Sequence, residues 1–194
     1  MHLTDFIVIG CFIIIFGNMI GTGIIYKLKK VDFKGKPPIS PPLYKLSKVS
    51  SFFVWFIFLF SAIFHKYEDK FPKYLFYSNE VLQWISVFIL AIGTFIFFIA
   101  FRGLGDSIKF GLPESENTDF CCAGIYKISR NPMYLSFILI DVGAILFFPN
   151  VVTIVLSIIA IWLHHLIALS EERYMEKAFG SAYSAYKKKV RRYI

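Results

Sequence analysis

The chain alternates between long apolar runs and shorter polar segments. Runs of mostly apolar residues cover about 6–26, 49–65, 81–101, 133–148 and 151–169. A transmembrane helix needs about 20 such residues, so the pattern predicts five membrane-spanning helices. The last two runs are separated only by Pro149 and Asn150, a pair that ends one helix and begins the next. We therefore expect these two helices to form an antiparallel hairpin.

The composition agrees with a membrane protein. Of the 194 residues, 57% are hydrophobic and 19% are aromatic, whereas a soluble domain averages roughly 45–50% apolar residues. Outside the apolar runs there is no stretch that predicts a separate soluble domain, so we expect one all-α membrane domain over residues 1–194. The three cysteines, Cys11, Cys121 and Cys122, lack the spacing of a disulfide framework or a zinc site, and no metal is expected.

The distribution of charge predicts the orientation in the membrane. The net charge is +8, and the basic residues lie in loops beside the apolar runs, where they favour the cytoplasmic side and attract anionic lipids. This pattern does not indicate a nucleic-acid partner. Segment 27–48 carries seven lysines against one aspartate, and segment 187–192 is also strongly basic, whereas segment 66–80 is balanced. We expect the N-terminus outside, and the C-terminus and segment 102–132 in the cytoplasm.

Two shorter patterns have structural interpretations. Gly17 and Gly21 match the small-xxx-small pattern that allows transmembrane helices to approach closely, so we expect helix packing there. The proline-rich segment 37–42 predicts a stiff connector at the membrane surface.

Two polar clusters flank the predicted hairpin. One lies in the segment 124–134, and the other is the pair Glu171–Glu172. At ~1.5 Å per residue, Tyr134 lies about 24 Å from the Asn150 turn and Glu171 about 31 Å from it on the returning helix. Both distances approach the hydrocarbon thickness of about 30 Å, so both clusters reach the same membrane boundary. We expect the hairpin to assemble one site from two halves that are distant in sequence.

The residue types in these clusters suit a ligand that has both a positive and a negative charge. The pair Asn131–Pro132 predicts an N-cap and the first helical residue, which leaves free backbone N–H groups near Met133–Tyr134. Such a terminus binds carboxylates and phosphates, and Lys127 and Arg130 add positive charge. The pair Glu171–Glu172 suits an ammonium, a sulfonium or ribose hydroxyls. Each feature alone also occurs in purely structural settings. Their presence together predicts a binding site, but it does not identify the ligand.

The ordered motifs of the second half identify a family. Residues from roughly 103 to the C-terminus resemble the isoprenylcysteine carboxyl methyltransferase family and its phospholipid-methyltransferase relatives, through the motifs Gly124–Tyr126, Arg130–Tyr134, Glu171–Glu172 and Phe179–Tyr186. In that family the second motif usually reads Arg-His-Pro-x-Tyr, and this chain has Asn131 at the histidine position, as prokaryotic relatives also do. The length and the five runs resemble compact prokaryotic members of archaeal type.

The resemblance implies that S-adenosylmethionine binds without a Rossmann domain, and the chain has no Gly-x-Gly-x-x-Gly motif after a strand-like run. The implied cofactor site is formed by segments 103–134 and 164–194. Its members, carried over by position, are Thr118, Asp119, Phe120, Cys121, Tyr126, Asn131, Pro132, Met133, Tyr134, Glu171 and Glu172.

The resemblance further implies a lipophilic carboxylate acceptor, such as a prenylated cysteine, that enters from the bilayer. A carboxyl of pKa ~3.5 is already ionised at neutral pH, so its methylation needs no general base. An amine acceptor would have to lose a proton, for which Glu172 or a histidine such as His165 is the candidate. Eukaryotic members hold the acceptor carboxylate with an arginine four residues before the first glutamate. This chain has Ile167 there, so Arg130 or Lys127 is the candidate to replace it.

Three other functions fit parts of the pattern. A phospholipid amine N-methyltransferase shares the motifs and differs in its acceptor. A sterol-reductase-like membrane enzyme would bind NADPH, but the chain has no further basic cluster for the 2′-phosphate. A non-enzymatic membrane adaptor leaves the two polar clusters without a role.

Overall fold

A computed structural model describes residues 2–29, 35–65, 67, 79–104 and 121–194. In these ranges the chain is helical and contains no β-strand, which confirms the all-α prediction for them. The α-helices are α1 (Leu3–Lys29), α2 (Pro41–Phe64), α3 (Glu80–Leu104), α4 (Pro132–Phe147) and α5 (Val151–Lys189). A 3-10 helix, Gly124–Lys127, precedes α4.

Four of these helices, α1, α2, α3 and α5, are long and apolar enough to cross a bilayer, so the chain is an integral membrane protein. Helix α4 is apolar as well, but it has only 16 residues. At ~1.5 Å per residue it is about 24 Å long, which is shorter than the hydrocarbon layer. Length and composition therefore support four crossings among the described helices, one fewer than the sequence predicts.

Two helices are longer than the apolar runs that predict them. Helix α2 begins at Pro41 instead of residue 49, because a proline in the first turn loses no intrahelical hydrogen bond. Helix α5 continues from the predicted end at residue 169 to Lys189, with a non-helical residue at Gly180. The hydropathy of a run indicates the part of a helix that lies in lipid, and it does not indicate where the backbone hydrogen bonding ends.

Helices α3 and α4 make the most extensive helix contact, and α2 lies among α1, α4 and α5. Helices α3 and α4 approach closely at Gly93, where a Cβ atom would be crowded, 3.2 Å from Leu139 Cβ and 3.3 Å from the Ser136 carbonyl oxygen. The core between the helices is aromatic, and Phe58 and Phe97 are almost fully buried in it.

The turn between α4 and α5 has the predicted construction. Helix α4 ends at Phe147, and the Asn150 side-chain oxygen accepts a hydrogen bond from the Thr153 backbone N–H at 3.0 Å. This is an N-cap, and it allows α5 to begin at Val151 and return against α4. The open end of the hairpin therefore carries the residues of both polar clusters.

Helix α1 is packed mainly along its first half. Val8, Phe12 and Ile15 are buried in the core, whereas beyond them Tyr26 is buried and most other residues are partly or fully exposed. Cβ atoms built at Gly17 and Gly21 would meet no atom within 4 Å. The close helix packing predicted at these two glycines is therefore absent from the part of the chain that the structure describes.

Candidate active site

The open end of the hairpin brings the two polar clusters into contact. The Tyr134 hydroxyl, in the first turn of α4, donates a hydrogen bond to Glu171 Oε1 on α5 at 2.8 Å. Both side chains are partly buried. Within the described ranges no basic side chain pairs with Glu171. Its carboxylate therefore keeps the capacity to bind a cation or a hydroxyl group.

Glu172, the next residue, has a different environment and is only 4% exposed. Arg130 Nη2 donates to both of its carboxylate oxygens at 3.1 Å. Arg192 donates from Nε at 3.0 Å and from Nη2 at 3.1 Å. The Asn131 side-chain amide adds a hydrogen bond at 2.7 Å. Both oxygens of Glu172 are thus occupied by protein donors, and two guanidinium groups balance its charge.

Arg130 and Asn131 serve this network instead of facing outward. Arg130 Nη1 also donates to the backbone carbonyls of Lys187 at 3.1 Å and Val190 at 2.5 Å. Its side chain is only 7% exposed. Asn131 occupies the N-cap position of α4 as predicted, but its side chain makes no capping hydrogen bond. The first-turn N–H groups of α4 therefore receive no cap from this residue.

The C-terminal segment 190–193 lies along residues 129–131. Ser129 and Arg191 form an isolated parallel β-bridge. The backbone N–H groups of Arg130 and Asn131 donate to the carbonyls of Arg191 and Arg192 at 2.9 and 3.0 Å. The hydrogen bond to Glu172 raises the pKa of the Arg192 guanidinium above its ordinary value, against a smaller opposing effect of burial. The segment is thus fixed by its backbone as well as by Arg192.

Hydrogen bonds join the 3-10 helix to α3 and to α5. The hydroxyl of Tyr126 donates to the Ala100 carbonyl on α3 at 3.3 Å, and the Tyr186 hydroxyl donates to the Tyr126 carbonyl at 2.5 Å. Burial raises the pKa of Tyr126 far above its ordinary value, so its hydroxyl stays a donor. Cys121 Sγ lies 3.5 Å from the Gly103 carbonyl. Residues 118–120, which the resemblance also assigns to the cofactor, lie outside the described residues.

The two histidines of α5 point to different partners. His165 Nδ1 lies 3.0 Å from the Tyr193 hydroxyl. His164 is buried, with Nε2 3.4 Å from Ser51 Oγ and its ring centroid 5.1 Å from that of Phe137. Ile167, at the position of the family's arginine, is 2% exposed in the apolar core. This position therefore provides no cation for an acceptor carboxylate.

Several contacts around the site have no clear signal in the sequence. The hydroxyl of Ser170, beside Glu171, donates to the Pro38 carbonyl in the proline-rich connector. Tyr44 on α2 lies within electrostatic range of Glu171. The basic residue Arg192 was expected only to set orientation, yet it donates two hydrogen bonds to Glu172. Such partners meet through tertiary packing, which sequence spacing does not report.

Comparisons with known proteins agree on one family. The phospholipid methyltransferase family matches residues 81–182, which is slightly more than half of the chain. The chain is also similar to protein-S-isoprenylcysteine O-methyltransferase from Schizosaccharomyces pombe (strain 972 / ATCC 24843), with 27% identity over 125 residues. The alignment covers 62% of this chain and 53% of that relative, so the chain spans about half the relative's length. No solved structure matches the chain.

Proposed function

Because the chain belongs to the phospholipid methyltransferase family, we propose that it is a membrane enzyme that transfers a methyl group from S-adenosylmethionine to a lipophilic carboxylate. The name of the similar yeast protein favours a carboxyl acceptor over an amine. The cofactor, the acceptor and the residues that bind them are all part of this proposal.

The observation that carries it is the contact between Tyr134 and Glu171 beside the N-terminus of α4. S-adenosylmethionine has a sulfonium, an amino group and ribose hydroxyls, which suit the Glu171 carboxylate. It also has a carboxylate, which suits the first-turn N–H groups at Met133–Tyr134. The donors and acceptors of this site thus fit the cofactor, which would supply an electrophilic methyl group. Among the described residues, we propose that Cys121 and Tyr126 contact the adenosine part of the cofactor.

Glu172 has a positioning role in this proposal. Its two arginine partners come from the segment before α4 and from the C-terminal segment, and Glu172 itself lies on α5. The ion-pair network therefore joins three parts of the chain behind Tyr134–Glu171. We propose that Arg130, Asn131 and Glu172 fix the geometry of the cofactor site, and that Glu171 contacts the cofactor.

The contacts that Glu172 and His165 already make favour a carboxylate acceptor. Methylation of an amine requires a group that accepts its proton. Two candidates for that role already have partners, since Glu172 is bound by two arginines and His165 lies against Tyr193. A carboxylate acceptor needs no such group, because it is already ionised at neutral pH.

We also propose five membrane crossings, with one domain over residues 1–194. Helices α4 and α5 are antiparallel, and their polar ends meet. If α5 crosses the membrane, α4 therefore crosses beside it, and the turn at Asn150 reaches the opposite surface. The basic loops then favour an outside N-terminus and a cytoplasmic C-terminus and cofactor site.

Equilibrium binding to the purified protein tests this function. We expect S-adenosylmethionine to bind and NADPH not to bind. The Glu171→Gln variant should weaken S-adenosylmethionine binding by about 1.5–3 kcal/mol, because it loses a charged hydrogen-bond partner. Glu176→Gln is a matched control, since Glu176 pairs with Lys187 at the surface. Tighter binding of NADPH, or an unchanged dissociation constant in a folded Glu171→Gln variant, would contradict the proposal.

A further inference from the structure

Helices α1 and α3 enclose a cleft of about 670 Å³. It extends along α1 from Ile13 to Tyr26. Its lining includes Gly17, Asn18 and Gly21 on one side, and Phe98, Phe101 and Arg102 on the other. The volume lies in the range of roughly 300–1,000 Å³ that small-molecule sites occupy. The cleft is distinct from the Tyr134–Glu171 contact.

The lining is mostly apolar, with Asn18 and Thr22 among its polar residues and a cation at one end. Arg102 lies in the last turn of α3, with its guanidinium 4.5 Å from the centroid of the Phe98 ring. In the described ranges no carboxylate pairs with Arg102. The apolar residues and the Arg102 cation suit an amphiphile with one apolar chain and an anionic head group.

The cationic end adjoins the proposed cofactor region. Gly103 follows Arg102, and a Cβ atom at Gly103 would lie 3.5 Å from Tyr126 Cε2. The carbonyl of Gly103 also lies 3.5 Å from Cys121 Sγ. An anion at Arg102 would therefore be close to the segment proposed to hold the adenosine side of the cofactor.

We propose that this cleft binds the acceptor, with its apolar chain along Gly17 and Gly21 and its carboxylate at Arg102. The proposal rests on the methyltransferase function stated above and adds the location of the acceptor site. Two observations favour Arg102 as the carboxylate partner. The position of the family's arginine is the buried Ile167, and Arg130 is occupied by Glu172. An uncompensated carboxylate in an apolar site would be strongly unfavourable, so a cation is required.

The first test fills the cleft. Gly17→Leu and Gly21→Leu introduce side chains where no atom lies within 4 Å, so the fold should tolerate them. We expect each variant to bind N-acetyl-S-farnesylcysteine roughly tenfold or more weakly, as for a pocket that loses space for its ligand. Gly23→Leu is the matched control, because Gly23 has similar free space but does not line the cleft.

The results of this test separate the possible occupants. Equal weakening in Gly23→Leu, no weakening in Gly21→Leu, or no binding of the probe to the unmodified protein would overturn the proposal. A change from dimer to monomer in Gly17→Leu, with probe binding unchanged, would make the cleft a packing surface for a second copy and would also overturn it. Binding of S-adenosylmethionine, measured separately, should be unchanged in all variants. Its absence in the unmodified protein would contradict the methyltransferase function without altering the result for the cleft.

The second test concerns the carboxylate. We expect the unmodified protein to bind the free acid of the probe more tightly than its methyl ester. Arg102→Gln should remove this preference, and Arg102→Lys should restore part of it, because lysine retains the charge without the bidentate geometry. Retention of the full preference in Arg102→Gln would show that another group binds the carboxylate.

Discussion

Two adjacent glutamates on α5 have different environments, and their partners explain the difference. Glu171 receives a hydrogen bond from the Tyr134 hydroxyl, whereas Glu172 is bound by the guanidinium groups of Arg130 and Arg192. Neighbouring positions on a helix point about 100° apart. One carboxylate therefore faces the hairpin, and the other faces the C-terminal segment. The first is suited to bind a ligand, and the second is suited to hold the structure together.

Replacement of Glu172 should destabilise the protein. In Glu172→Gln the buried Arg130 loses its counter-ion, and breaking a buried ion pair on one side costs about 3–5 kcal/mol. The expected result is a clearly lower midpoint of thermal unfolding in detergent. The control Glu176→Gln removes a surface pair with Lys187, which is worth only about 0–1 kcal/mol. Equal midpoints for the two variants would show that the Glu172 network does not stabilise the fold.

The sequence predicted which two polar clusters meet better than it predicted the hydrogen-bond partners of each side chain. The contact of Tyr134 with Glu171 follows from the helical rise and the position of the Asn150 turn, because both are local properties. The environment of Glu172 depends on where the C-terminal segment lies, which is decided by packing. Asn131 was expected to cap α4 through its side-chain oxygen, but that oxygen makes no capping hydrogen bond, and the side-chain nitrogen donates to the buried Glu172. The orientation of the Asn131 side chain therefore depends on where α5 lies, which local sequence does not indicate.

At the scale of elements, α5 has two parts that make different contacts. Its apolar part packs with α4 and α2, and its polar part carries the chain back toward the segment before α4. The change of direction occurs at Gly180, whose φ of 50° and ψ of −121° lie outside helical geometry. A positive φ is unfavourable for residues with a Cβ atom. The glycine therefore allows the C-terminal segment to reach Glu172.

Gly180→Ala should reduce stability for this reason alone. A Cβ atom at this position would meet nothing within 4 Å, so the cost is that of the backbone conformation, about 1–3 kcal/mol. Gly10→Ala in α1 is the control, because it also has free space but is helical, and it should be neutral or slightly stabilising. Thermal unfolding of both variants measures the difference. A neutral Gly180→Ala would mean that the chain avoids the strain by moving the C-terminal segment.

Hydropathy located the described helices but not all of their ends. It predicted α1 and α3 to within three residues at each end. It missed the start of α2 at Pro41 and the continuation of α5 to Lys189. Both missed parts are polar segments next to the apolar runs. Apolar composition carries no information about such segments.

At the scale of the whole molecule, the two ends of the helix bundle differ. At one end a buried polar cluster joins three helices. His65 Nδ1 lies 2.7 Å from Asp5 Oδ1 and its Nε2 lies 3.1 Å from Gln83 Nε2. Toward the other end, α1 and α3 line the cleft that reaches Arg102. Helices α3 and α4 are antiparallel, since Ser86 contacts Gly143 and Gly93 lies against Leu139. Arg102 at the end of α3 is therefore on the same side of the bundle as the Tyr134–Glu171 contact.

The number of crossings can be measured in sealed vesicles with single cysteines in a cysteine-free background. The five-crossing proposal expects Lys34→Cys and Lys188→Cys to be labelled from the cytoplasmic side, and Lys70→Cys and Val151→Cys from the outside. Lys34 and Lys70 lie outside the described residues, and their sides follow from the lysine bias. Val151 is 76% exposed beside the hairpin turn, so it reports on α4 and α5 directly. Labelling of Val151→Cys from the cytoplasmic side would mean that the hairpin enters the membrane without crossing it. Labelling of Lys188→Cys from the outside would mean that α5 crosses without α4, which the contact between Tyr134 and Glu171 opposes.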